Sequence, residues 1–114
     1  MEIKEHKLDG IRVLALKGKV TRGDAEAKLK ERILDLCDSG HNRIIINLAD
    51  VPYVDSSGIG ELVRCYTEVR RSGGRLGLTN CNHRLLDMLR MTRLSDILET
   101  FDSDADAVQS FSRR

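Results

Sequence analysis

The stretch RIIINLADVPYVDSSGIGELVRCYTEVRRSGGRLGLT, residues 43–79, decides how this chain folds. Its first six residues, RIIINL, are an unbroken apolar run rich in isoleucine, the pattern of a strand covered on both faces rather than washed on one. After the loop ADVPYVD the period changes. Ile59, Leu62, Val63, Tyr66 and Val69 recur at helical spacing, and Ser72-Gly73-Gly74 supplies a stop. RLGLT at 75–79 then reads as a short strand. A strand, helix, strand unit of this length predicts a right-handed crossover between two parallel neighbours.

Upstream, Asp9-Gly10 stands between two extended segments in KEHKLDGIRVLALKGKV, residues 4–20. That dipeptide suits the positive φ angles of a tight hairpin turn, so the first two strands are predicted to be antiparallel. From Asp24 the residues Ala25, Leu29, Ile33, Leu36 and Cys37 mark a first helix, stopped at Ser39-Gly40. Downstream, NCNHRLLDMLRMT (80–92) predicts a short helix with Leu85, Leu86 and Leu89 facing inward and Asn80 or Asn82 as its cap. Met88 and Met91 are assigned to packing. ILETF (97–101) reads as an edge strand, and DSDADAVQSF (102–111) as a last helix packing through Val108 and Phe111. The predicted class is α/β: a mostly parallel sheet of four or five strands opening with an antiparallel hairpin, about four helices, and one domain over residues 1–114.

Composition narrows the function. Lys and Arg number 19 against 18 Asp and Glu, and aromatic residues make up only 4% of the chain, so neither the basic footprint nor the stacking platforms of a nucleic-acid binder are present. The apolar runs fall far short of the ~20 residues of a membrane span. The start, MEIKEHKLDG, is charged throughout and lacks the apolar core of a signal peptide. The expectation is a cytoplasmic protein with no membrane contact. Cys37, Cys65 and Cys81 are odd in number and widely separated, which points to buried or half-buried thiols rather than to a disulfide framework or a zinc site.

VDSSGIGELV, residues 54–63, carries the chemistry, and the enzymatic readings of it fail. A hydrolase elbow needs glycine two residues before and two after its serine, whereas Ser56 follows Val54 and Ser57 stands between Asp55 and Ile59 at those positions. His6, His41 and His83 are scattered and offer no general base. GIGELV puts Val63 where a dinucleotide fingerprint needs its third glycine, and Val20 stands where a phosphate loop after Gly18-Lys19 needs Ser or Thr. Asp24, Glu26 and Glu31 are spaced for a solvated helix face. No catalytic residue, metal set or cofactor is expected, and the protein is not read as an enzyme.

Asp55, Ser56 and Ser57 instead precede an amphipathic helix whose first amides they can cap. Gly58 and Gly60 in that first turn cost roughly 1 kcal/mol each relative to alanine, which suggests that a close-fitting surface needs the bare backbone. A phosphate on Ser57 would be tolerated at a helix start. It would also add a charge of about −1.5 to −2 at a protruding end. A partner shaped for a bare hydroxyl would reject it at a cost of several kcal/mol.

The segment IIINLADVPYVDSSGIGELVRCYTEVRRSGGRLGLTN, residues 44–80, closely resembles the STAS domain of bacterial anti-sigma factor antagonists, and the likeness extends from the hairpin to the final DADAVQSF. Its most specific element is DSSG after an apolar strand and short loop, followed by an amphipathic helix and a double glycine. The resemblance implies that Ser57 is a phosphoacceptor, phosphorylated by an anti-sigma factor with serine kinase activity and restored by a PP2C-type serine phosphatase. It further implies that the unphosphorylated protein binds the anti-sigma factor and frees a sigma factor for transcription. By analogy Asp55 and Ser56 shape the kinase-facing surface, Gly58 and Ile59 lie at its contact edge, and the loop carrying Thr21, Arg22 and Asp24 lies nearby. Many members of the family carry an acid at the position of Thr21. Here the acid comes three residues later, at Asp24, a shift that can change pairing. The competing reading is an interaction subunit of a larger assembly, a stressosome or a lipid-transport complex, with no sigma factor role.

Overall fold

The computed structural model describes residues 1–113. Strands β1 (Glu2–Leu8) and β2 (Ile11–Lys17) form the expected antiparallel hairpin, with Leu8 opposite Ile11 and Glu2 opposite Lys17. Asp9 and Gly10 take φ values of 51° and 78°, the two left-handed residues that a two-residue loop needs to match the strand twist.

The chain continues through α1 (Asp24–Asp38), β3 (Arg43–Asp50), α2 (Ser56–Arg71), β4 (Arg75–Thr79), α3 (His83–Met91), a 3-10 turn at Leu94–Asp96, β5 (Glu99–Phe101) and α4 (Asp104–Arg113). Among the described residues the five strands lie in sequence order in one sheet, antiparallel only between β1 and β2. Crossovers of one hand between successive parallel neighbours lay their helices on one face. The packing agrees. Ile44, Ile46 and Leu48 of β3 share a core with Leu29 and Ile33 of α1, Leu62, Cys65 and Val69 of α2, and Leu85 and Leu89 of α3. Ile45 points the other way, into a smaller core with Ile11, Val13 and Ala107, Val108 and Phe111 of α4. The isoleucine run is therefore apolar because β3 is covered on both sides.

Helices α1 and α2 end alike. The amides of His41 and Gly40 bond the carbonyls of Leu36 and Cys37 at 2.8 and 3.1 Å, and those of Gly74 and Gly73 bond Val69 and Arg70 at 2.8 and 3.0 Å. Both are Schellman stops, which require the left-handed φ found at Gly40 (81°) and Gly73 (82°). On the opposite face α4 is fixed at each end. Its Asp104 carboxylate accepts from Thr79 Oγ1 at 2.6 Å and Asn47 Nδ2 at 3.0 Å, while Arg43 and Arg75 donate to the terminal carbonyls of Phe111 and Ser110.

Three expectations need correction. Strand β5 covers only 99–101, because Arg93 turns left-handed (φ 63°) and the 3-10 turn occupies the residues just before it; Ile97 is left 44% exposed. Met91 does not pack: it is 83% exposed, two residues past Leu89 and so on the far side of α3. Asn82, not Asn80, caps α3, accepting from Leu85 N at 2.9 Å.

Candidate functional site

The carboxyl ends of β2 and β3 are joined beyond the sheet proper. Gly18 N donates to Asp50 O at 3.0 Å, Val20 N to Tyr53 O at 3.0 Å and Asp55 N to Val20 O at 3.3 Å, so Val20 and Val54 form an isolated parallel bridge. This bridge sets Val20 against the start of α2, and the segment carrying Thr21, Arg22 and Asp24 follows directly after it. Thr21 is half-buried, Arg22 and Asp24 are exposed, and Asp24 pairs with Lys28 at 3.3 Å.

Helix α2 starts where its cap dictates. Asp55 is extended (φ −90°, ψ −176°), and its Oδ1 accepts from Gly58 N at 2.8 Å, satisfying one of the first-turn amides. Ser56 and Ser57 thus stand inside the first turn rather than ahead of it. Ser56 is exposed and Ser57 half-buried. The Ser57 hydroxyl makes no hydrogen bond among the described residues, and none of their buried side-chain polar atoms lacks a partner. Its Oγ therefore reaches solvent.

Gly58 has a different reason from the one expected. A Cβ there would run into the carbonyl of Val20 and come within 2.8 Å of Val54 Cγ1. The bare backbone serves the internal bridge. Gly58 and Ile59 are both buried, Ile59 to 7% exposure, so their contribution to any contact edge is the position of the helix end and not a presented side chain. Gly60 is open except for the Arg64 guanidinium, whose Nη1 lies 3.6 Å from where a Cβ would stand. Tyr53, 39% exposed beside the cap, has the Arg84 guanidinium 5.7 Å from its ring centroid.

One turn beyond Ser57 lies a charged residue that the sequence reading passed over. Glu61 is 1% exposed in the middle of the core face of α2. Its Oε1 accepts from Arg64 Nε at 3.0 Å and its Oε2 from Cys65 Sγ at 3.4 Å, while Arg64 Nη2 crosses to Glu26 of α1 at 2.6 Å. Glu26 is accordingly half-buried, not solvated. The hydrogen bond that Arg64 donates to Glu61 raises the Arg64 pKa, and burial followed by the Glu61 charge pushes the Cys65 thiol up. Burial holds the Cys81 thiol at about 11. Neither thiol is a nucleophile near neutral pH. Glu61 shares a helix face with the buried Gly58 at i−3 and Cys65 at i+4 and has Arg64 at i+3 to neutralise it, a spacing that does not by itself announce burial.

No group of three His, Cys, Asp or Glu among the described residues is placed to hold a metal ion. A sheet in strict sequence order also has no point where the winding reverses, the place where open α/β sheets form a ligand crevice. The arrangement instead presents a capped helix end with two serine hydroxyls on its first turn, Ser56 exposed and Ser57 half-buried. No helix among the described residues is long and apolar enough to cross a membrane.

The STAS domain family matches residues 2–107, and the chain belongs to that family. It is 35% identical over 81 residues to the anti-sigma-B factor antagonist of Bacillus subtilis (strain 168), covering 71% of this chain and 73% of that one. It is 32% identical over 100 residues to the anti-sigma-B factor antagonist of Listeria monocytogenes, covering 87% and 85%. Among solved structures, TM1081 of Thermotoga maritima superposes with a TM-score of 0.89 at 24% identity, over 98% of this chain and 95% of that one. Within the family its named relatives are anti-sigma factor antagonists, which are binding regulators and not enzymes.

Proposed function

We propose that this chain is an anti-sigma factor antagonist switched by phosphorylation of Ser57. With a bare hydroxyl it binds an anti-sigma factor that is also a serine kinase, and the sigma factor held by that partner is released. The kinase transfers the γ-phosphoryl group of ATP to Ser57 Oγ: the Oγ–P bond forms, the bond to the β,γ-bridging oxygen breaks, ADP leaves and the hydroxyl gives up its proton. A PP2C-type phosphatase hydrolyses the ester with water, restoring the hydroxyl and releasing inorganic phosphate. The whole chain, 1–114, acts as one STAS unit in the cytoplasm. Asp55, Ser56 and the Thr21, Arg22 and Asp24 segment form the surface the partner meets, with Gly58 and Ile59 setting where the helix end stands.

The observation that carries this reading is the Ser57 hydroxyl itself, unpaired and open to solvent on the first turn of a helix whose start is pinned by the Asp55 cap and the Val20 bridge. A phosphate there changes charge at the surface, not packing within. The partial positive charge of the helix start offsets part of the added anion, about 0.3–1 kcal/mol. Incubation with the cognate kinase and Mg-ATP, followed by mapping of the modified peptide by mass spectrometry, tests it. One phosphate is expected, on Ser57 and absent from Ser57→Ala. Phosphate on neither serine with an active kinase would refute the switch.

A further inference from the structure

Ser57, Gly60, Glu61 and Arg64 occupy positions i, i+3, i+4 and i+7 of α2 and so form one stripe, with neighbours about 5–6 Å apart at Cβ. Long helical side chains lean toward the helix N-terminus, and Arg64 does so, lying over the bare backbone of Gly60 toward the Ser57 turn. Two edges of its guanidinium are engaged: Nε on Glu61 at 3.0 Å and Nη2 on Glu26 at 2.6 Å. Nη1 has no acceptor among the described residues, and it is the nitrogen nearest Gly60. The side chain is also 53% exposed, so a newly attached group can reach it.

The charges around the Ser57 turn are otherwise unfavourable to an anion. Asp55 and Glu61 belong to the same helix start and Glu26 reaches it from α1, while exposed Asp24 is paired with Lys28 on α1 and Arg22 stands in the exposed loop. A cation already fixed along the stripe determines whether a phosphate is held or pushed into solvent. We propose that Arg64 is the internal counter-ion of phosphorylated Ser57, donating Nη1 to a phosphate oxygen while Nε stays on Glu61. This rests on the reading of Ser57 as the phosphoacceptor. Guanidinium and phosphate pair well by hydrogen bonds from adjacent N–H groups, and Glu61 orients the fork from below. Gly60 has its explanation here: a side chain at that position would come between the two. The phosphate takes the free Nη1 while Nε and Nη2 stay on Glu61 and Glu26, so the tie between α1 and α2 is kept and the change remains at the surface.

The test uses full-length protein with phosphoserine installed at position 57 during translation, so that no kinase is involved, and follows the phosphate by 31P NMR as pH is varied. With Arg64 present the second ionisation of the phosphate is expected at a pH lower by about 0.5 unit or more than in Arg64→Gln, since a nearby cation favours the dianion. The same comparison between Glu61→Gln and Glu61→Gln/Arg64→Gln guards against misfolding, because it removes the buried carboxylate that the single change would strand. A difference smaller than about 0.5 unit in both pairs overturns the proposal, as does a larger shift from Arg22→Gln than from Arg64→Gln. Failure of a kinase to modify Ser57 would count against the proposed function and leave this measurement untouched.

Discussion

At the scale of single residues, the two glycines of the DSSGIG turn look equivalent in the sequence and are opposites in the structure. Gly58 is in contact with the Val20 carbonyl, whereas Gly60 faces open space and the end of a flexible arginine. Gly58→Ala forces the Val20 bridge apart and is expected to cost about 1–3 kcal/mol or more. Gly60→Ala is expected to raise stability by up to about 1 kcal/mol through the helix preference of alanine. Urea unfolding of the two variants side by side checks both. Equal destabilisation would mean that the bridge does not constrain the helix start. Helix propensity alone cannot separate these positions, since the reason for Gly58 comes from a segment 38 positions upstream, held there by backbone pairing.

At the scale of elements, the period changes were legible: an apolar run, then helical spacing from Ile59, then a double glycine, and the structure has β3, α2 and a Schellman stop at those places. Glu61 was not, because a glutamate beside an apolar stripe ordinarily marks the solvent side of a helix, and only the packing of α1 against α2 encloses it. The short β5 was over-read for a similar reason. ILETF has strand composition throughout, and the left-handed Arg93 that shortens it carries no glycine to announce itself. Strand β5 is joined to β4 by an ion pair in which Arg75 meets both Glu99 oxygens at 2.7 and 2.8 Å. The hydrogen bond from Arg75 lowers the Glu99 pKa below its ordinary value of 4.5. A carboxyl depressed by folding contributes stability above its unfolded pKa and loses it as pH falls through the folded one. Unfolding free energy measured from about pH 6 down to about pH 3 is therefore expected to fall less steeply in Glu99→Gln than in the native chain. Identical slopes would show that the pair adds nothing, as holds for many exposed ion pairs.

At the scale of the whole molecule, a sheet closed by three helices on one face and α4 on the other leaves the start of α2 as a fixed projection at the carboxyl end of the strands. The fold could be read from its connections, and DSSG marked the cap and first turn of α2. What composition could not indicate was how firmly that end is held: by one cap, one bridge and a buried Glu61–Arg64–Glu26 chain. The central claim is that modifying residue 57 changes association while leaving architecture alone. Isothermal titration of the partner anti-sigma factor with native protein and with protein carrying phosphoserine at 57, each first shown to have the same far-UV circular dichroism and unfolding midpoint, tests it directly. The account predicts affinity weakened at least about tenfold, about 1.4 kcal/mol, between two equally folded forms. Equal affinities, or a phosphorylated form that has lost its fold, would contradict it.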